Sequence, residues 1–98
     1  MTTFSFSLPF DFDDYEWEVT AKGWFSEARI IASGKRYRLN FFEPVRLGQD
    51  IQSDIEAGRI FFEPNLVVVK TLTRSDMERA AAMLVESGQL ESLVPERV

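Results

Sequence analysis

The residues in this chain that can do chemistry are carboxylates and guanidinium groups. It has no Cys and no His. Thiol catalysis, Cys-ligated zinc, Ser-His-Asp triads, imidazole acid–base chemistry and histidine pH switching are therefore excluded. The densest titratable cluster is Asp11-x-Asp13-Asp14-x-Glu16-x-Glu18, five acids in eight residues. One reading is a docking surface for a basic protein. The plainer reading is solvated surface, since charge runs are most often that. An EF-hand calcium loop requires a central Gly, which is missing here, and the acids fall on an alternating strand, so no metal site is expected.

Arg29, Arg36 and Arg38, with Lys35, make a second cluster. Alternation puts the three arginines on one face of neighbouring strands, where they could grip a phosphate or carboxylate bidentately. Tyr37 points to the opposite face, so bases and aromatics are not interleaved for stacking on nucleic acid. A third set is apolar and off-pattern. Ile31 falls on a polar face, Phe42 breaks the alternation after Phe41, and Trp24-Phe25 sits at an expected turn near Phe25-Ser26. Exposed together, Trp24, Phe25, Ile31 and Phe42 would form a protein-binding patch or a homodimer interface.

No GxGxxG, P-loop, GxSxG or zinc-helix motif is present, and no catalytic residue or cofactor is expected. Charge is unevenly spread. Residues 1–20 carry five acids and no base, residues 21–48 six bases against two acids, and the whole chain −5. That balance argues against nonspecific binding to nucleic acid or to an anionic membrane. The N-terminus shows no basic segment followed by an apolar one, so the expected location is the cytoplasm.

A chain of 98 residues, 45% hydrophobic and 13% aromatic, can bury a core without disulfides or metal and is expected to be a single domain over 1–98. Phe4, Phe6, Leu8, Phe10 and Phe12 alternate with Ser5, Ser7, Pro9 and Asp11, the period of a half-buried strand. Pro9 places it at an edge. Tyr15, Trp17, Val19 and Ala21 alternate in the same way. A hairpin turning at Asp13-Asp14 then pairs Phe10 with Trp17 and Leu8 with Val19, and sets Asp11 opposite Glu16. Ala28, Ile30 and Ala32 form a third strand; Tyr37, Leu39 and Phe41 form a fourth. A Gly34-Lys35 turn would pair Ala32 with Tyr37, Ile30 with Leu39 and Ala28 with Phe41.

From Glu43 the period changes. Pro44 suits a first helical turn, Leu47, Ile51 and Ile55 recur every four residues, and Gly58 suits a C-terminal cap. Ile60 to Phe62 reads as an extended lead-in and 66–70 as a buried strand. Thr73 with Asp76, or Ser75 with Glu78, makes a capping box. The helix behind it runs through Met77, Ala80, Ala81, Leu84 and Val85 to Gly88, with Ala80-Ala81-Ala82 allowing close packing. Leu90, Leu93 and Val94 should dock before Pro95. Phe41-Phe42-Glu43-Pro44 is echoed by Phe61-Phe62-Glu63-Pro64, read as two strand ends stopped by proline.

The expected fold is an α+β two-layer sandwich in the order β-β-β-β-α-β-α. A four-stranded antiparallel meander is joined by a fifth strand that can add parallel, and two helices cover the apolar face. The functional expectation is a non-enzymatic module that binds a protein, in the manner of an inhibitor, immunity protein or adaptor, through an acidic sheet face at Asp11, Asp13, Asp14, Glu16 and Glu18. The alternatives are anion or small-molecule binding at Arg29, Arg36 and Arg38, and a self-associating subunit.

Overall fold

The computed structural model describes residues 3–97. Its sheet has four strands in sequential order: β1 (Phe4–Ser7), β2 (Trp24–Ala32), β3 (Lys35–Phe42) and β4 (Leu66–Val68). The first three are antiparallel, and β4 joins β3 in parallel. The sheet is therefore mixed. Three α-helices accompany it: α1 (Glu16–Lys22), α2 (Pro44–Glu56) and α3 (Arg74–Glu86).

The expected second strand is helix α1. Its alternating apolar residues also fit a helix in which Val19 alone is buried and Trp17 faces solvent. The ends decide the outcome. Glu16 and Glu18 occupy the first turn, Lys22 the last, and Gly23 caps the helix at φ 75°, the charge order and left-handed terminus that favour a helix. Gly23 also permits close approach. A Cβ there would lie 2.8 Å from Glu43 Cγ and 2.9 Å from Arg46 Cβ. Without a partner at 15–22, β1 pairs with β2 instead, Phe4 facing Ala32 and Phe6 facing Ile30. The strand stops at Ser7 because the chain turns at Pro9, whose carbonyl accepts from Phe12 N–H (2.9 Å). Phe10 is consequently thrown into solvent, while Phe12 is buried against Tyr15 and Phe25 (ring centroids 5.6 and 5.3 Å).

The β2–β3 turn is Ser33-Gly34, not Gly34-Lys35. Both residues have positive φ (53° and 75°), as a type I′ hairpin turn requires. Ala32 therefore faces Lys35, Ile30 faces Tyr37 and Ala28 faces Leu39. The shift from the expected register is two residues, so every side chain keeps its expected face. Trp24 and Phe25 lie within β2, and the irregularity falls between Phe25 and Ala28.

The core lies on one face of the sheet. Ala28, Ile30, Leu39 and Phe41 pack there with Val19 of α1 and with Met77, Ala81 and Val85 of α3. The covering helices are thus α1 and α3. Helix α3 begins as expected, Thr73 Oγ1 accepting from Asp76 N–H at 3.2 Å. Helix α2 starts at Pro44, with the Glu43 carboxylate accepting from Val45 N–H (3.0 Å) and from Arg46 N–H, but it buries none of its residues. The two Phe-Phe-Glu-Pro strings are not equivalent: Phe42 is buried in the sheet, whereas Phe62 lies in the connection before β4 and is exposed.

The two alternating phenylalanines therefore differ sharply in consequence. Phe12→Ala should cost about 3–5 kcal/mol, since it opens a cavity under two aromatic rings. Phe10→Ser should change stability by no more than about 0.5 kcal/mol. Urea unfolding followed by tryptophan fluorescence reads both, and equal losses would place Phe10 in the core.

Candidate functional site

The acidic segment is not a sheet face. Asp13 and Asp14 belong to a 3-10 turn (Phe12–Asp14), Glu16 and Glu18 to α1, and Asp11 does not oppose Glu16 across strands. Two of the five acids are engaged. Asp13 Oδ1 accepts from Arg74 Nη2 at 2.9 Å, and Glu16 Oε2 accepts from the Arg74 backbone N–H at 2.7 Å. The Arg74 guanidinium also lies 5.5 Å from the centre of the Phe12 ring. Its hydrogen bond to Asp13 holds it more firmly protonated than usual, against a smaller effect of burial. Burial, with the negative charges of Asp11 and Glu27 behind it, raises the Tyr15 phenol. Asp11, Asp14 and Glu18 remain exposed.

The arginines do share a face. Arg29 stands directly opposite Arg38, and Ile31 opposite Arg36. Like charges so placed repel, and Glu96 relieves them: its Oε1 accepts from Arg29 Nε at 2.7 Å. Its backbone N–H donates to the Arg36 carbonyl, also at 2.7 Å. The Arg29 hydrogen bond and charge hold the Glu96 carboxyl below its ordinary range. Arg29, Lys35, Arg36 and Arg97 surround Glu96 in an open basin of about 550 Å³. Arg38 lies apart, in a separate hollow with Glu18, Lys22 and Glu27.

The four apolar candidates do not form one patch. Phe25 is buried in the core, and Phe42 is covered on the other face by Trp24 and Phe61 (ring centroids 6.4 and 6.0 Å). Arg46 lies over Trp24 at 6.0 Å. Ile31 is separately half-exposed. The exposed apolar surface lies instead along the connection from β3 to β4. Ile51 and Ile55 on α2 face solvent, as do Ile60 (81% exposed) and Phe62 (75%). The polar side of α2 is paired locally: Arg46 pairs with Asp50 at 2.9 Å and donates to the Lys22 carbonyl at 3.0 Å, Gln52 donates to Glu56 at 3.0 Å, and Asp54 pairs with Arg59 beyond the helix at 3.0 Å. The four-residue spacing of Leu47, Ile51 and Ile55 was visible beforehand. Among the described residues Leu47 is half-buried, and Ile51 and Ile55 are exposed.

Among the described residues, no group of three or more acids gathers where it could hold a metal, and no helix is long and apolar enough to cross a membrane. Compared with family models, curated proteins and solved structures, the chain matches none.

Two carboxylates make stability acid-sensitive. Glu96 is lowered by Arg29, and Asp76 is lowered chiefly by the hydroxyl of Thr71, which donates to it at 2.5 Å. Both folded values lie below the ordinary ones. Their stabilisation is therefore complete above about pH 4–4.5 and is lost as pH falls through the folded values. The urea midpoint should drop over that range, and in a Glu96→Gln, Asp76→Asn double variant it should drop less steeply. Parallel pH profiles would show that neither carboxylate contributes.

Proposed function

We propose that this chain is a non-enzymatic protein-binding module that docks through the apolar stripe of α2 and the connection behind it. The observation that carries this reading is an amphipathic helix none of whose residues is buried. Burying one large aliphatic side chain is worth roughly 1.5–3 kcal/mol, and globular chains seldom leave a whole stripe of them in water. Leu47, Ile51 and Ile55 have the spacing by which an amphipathic helix lays its apolar face into a groove. Ile60 and Phe62 extend the apolar character beyond the helix. The polar side chains that flank the stripe are paired locally, Arg46 with Asp50 and Gln52 with Glu56. The acidic segment is a weaker docking surface than its composition implies, because Asp13 and Glu16 already serve Arg74.

A second reading has its own observation. The basin around Arg29, Lys35, Arg36 and Arg97 holds four cations against one carboxylate, an arrangement suited to a small polyanion. Phosphate or citrate raising the melting temperature of wild type, but not of an Arg36→Ser, Arg97→Ser variant, would favour it.

The main reading is tested by capture from host lysate with three immobilised chains: wild type, Ile51→Lys with Ile55→Lys, and Asp14→Lys with Glu18→Lys. All four replacements are at exposed positions and should leave the urea midpoint nearly unchanged. The α2 variant should lose a protein that wild type and the acidic-segment variant both retain, and retention should depend little on salt. Loss by the acidic-segment variant alone, with steep salt dependence, would return the docking surface to Asp11, Asp14 and Glu18.

A further inference from the structure

Strand β4 lies at the edge of the sheet, with β3 on one side only. Its parallel register determines which backbone groups are used. The Asn65 carbonyl accepts from Asn40 N–H at 3.0 Å, and Val69 N–H donates to the Phe42 carbonyl at 2.9 Å. Peptide groups alternate in direction along a strand. The N–H and C=O of Leu66 and of Val68 therefore point away from β3, and no group among the described residues meets them. Edge strands are commonly blunted by proline, a bulge or a covering element. Leu66–Val68 has none of these and is blunted only by its shortness.

Beside this edge runs an open groove of about 300 Å³ between β4 and α3. Val67 and Val69 line it from the strand, and Ala80, Met83 and Leu84 from the helix. One end is cationic. Lys70 and Arg79 stand there with Asp76. The Asp76 carboxylate is already engaged, one oxygen with Arg79 (3.0 Å) and the other with Thr71 (2.5 Å). Lys70 forms no ion pair among the described residues. A strand placed at the usual sheet spacing of about 4.8 Å would set every second side chain over the groove.

We infer that the β4–α3 groove binds an extended acidic peptide segment of another protein, which joins the sheet beyond β4. Its backbone completes the four free groups of Leu66 and Val68, its alternate apolar side chains fill the groove, and a carboxylate meets Lys70. Main-chain bonds supply affinity in this mode, and the groove supplies specificity. The site is distinct from the α2 stripe and does not depend on it.

The test is selection of displayed random decapeptides on the full chain. The recovered peptides are then synthesised and titrated by fluorescence anisotropy. They should alternate apolar residues and carry Asp or Glu. Val68→Pro removes an outward N–H that the native ladder does not use and should weaken them by about tenfold or more. Lys70→Gln should weaken them and flatten their salt dependence. Ile51→Lys with Ile55→Lys should bind as wild type. A direct readout accompanies the variants: bound peptide should slow hydrogen exchange at the Leu66 and Val68 amides. Failure to recover alternating peptides would overturn the assignment, as would equal binding to Val68→Pro with unchanged exchange at those amides. So would a wild-type dimer in sedimentation that Val68→Pro converts to monomer, since the edge would then belong to a second copy.

Discussion

The attachment of β4 to the sheet rests on one buried amide. Asn40 is the only buried polar residue among those described, and its Nδ2 donates to the Pro64 carbonyl at 2.6 Å. An unsatisfied amide at that position would cost about 1–3 kcal/mol, so the bond defines where the returning chain meets β3. Asn65 continues the arrangement from a left-handed backbone (φ 54°). Its side chain donates to the carbonyls of Arg38 and Val94 and accepts from Val94 N–H, each at 2.8 Å. Two asparagines, Asn40 and Asn65, thus fix β4 beside β3 and hold the C-terminal segment against the sheet. A three-residue strand has few ladder bonds of its own, and its register depends on this anchoring.

Part of the chain's segregated charge is resolved within the fold. The acidic N-terminal segment meets Arg74 across 61 residues of sequence, and the arginine face meets Glu96 across 67. Such exposed pairs contribute little stability individually. Their effect is positional. Arg74 joins the start of α3 to the turn before α1, with Phe12 beneath its guanidinium. Glu96 pairs with Arg29 and, through its backbone N–H, ties the tail to β3 at Arg36. A charge imbalance between sequence segments can therefore be an internal complementarity as readily as a signal of partners.

Local signals were legible where they had no competitor. Pro44 and Gly58 around α2 and Thr73 before α3 stand where their residue types place them, whereas the buried strand expected over 66–70 is a three-residue edge strand, Leu66–Val68, with Leu66 and Val68 exposed. The faces of β2 and β3 were legible too, since a two-residue change of turn from Gly34-Lys35 to Ser33-Gly34 preserves parity. Residues 15–22 were ambiguous: Tyr15 and Val19 satisfy both a period of two and a spacing of four. The Gly23 cap and the order of charges resolve that ambiguity toward a helix. The arginine face was legible as a face, but the partner of Arg29 was not, because nothing local to Glu96 announces a contact so far away in sequence. The exposure of α2 was equally hidden. An amphipathic pattern specifies a face to be covered and does not name the cover.

Helix α2 is tethered at its start, by the Glu43 cap beside Gly23 and by Arg46, which donates to the Lys22 carbonyl at 3.0 Å, yet none of its residues is fully buried. Its opening would uncover the half-buried Leu47 and the shielded part of Ile51, but no residue of the core cluster. It is therefore expected to open as a separate foldon, its amides exchanging through local opening ahead of global unfolding. A ligand that ordered this helix would make its amides the slow ones while the sheet's exchange stayed as it was.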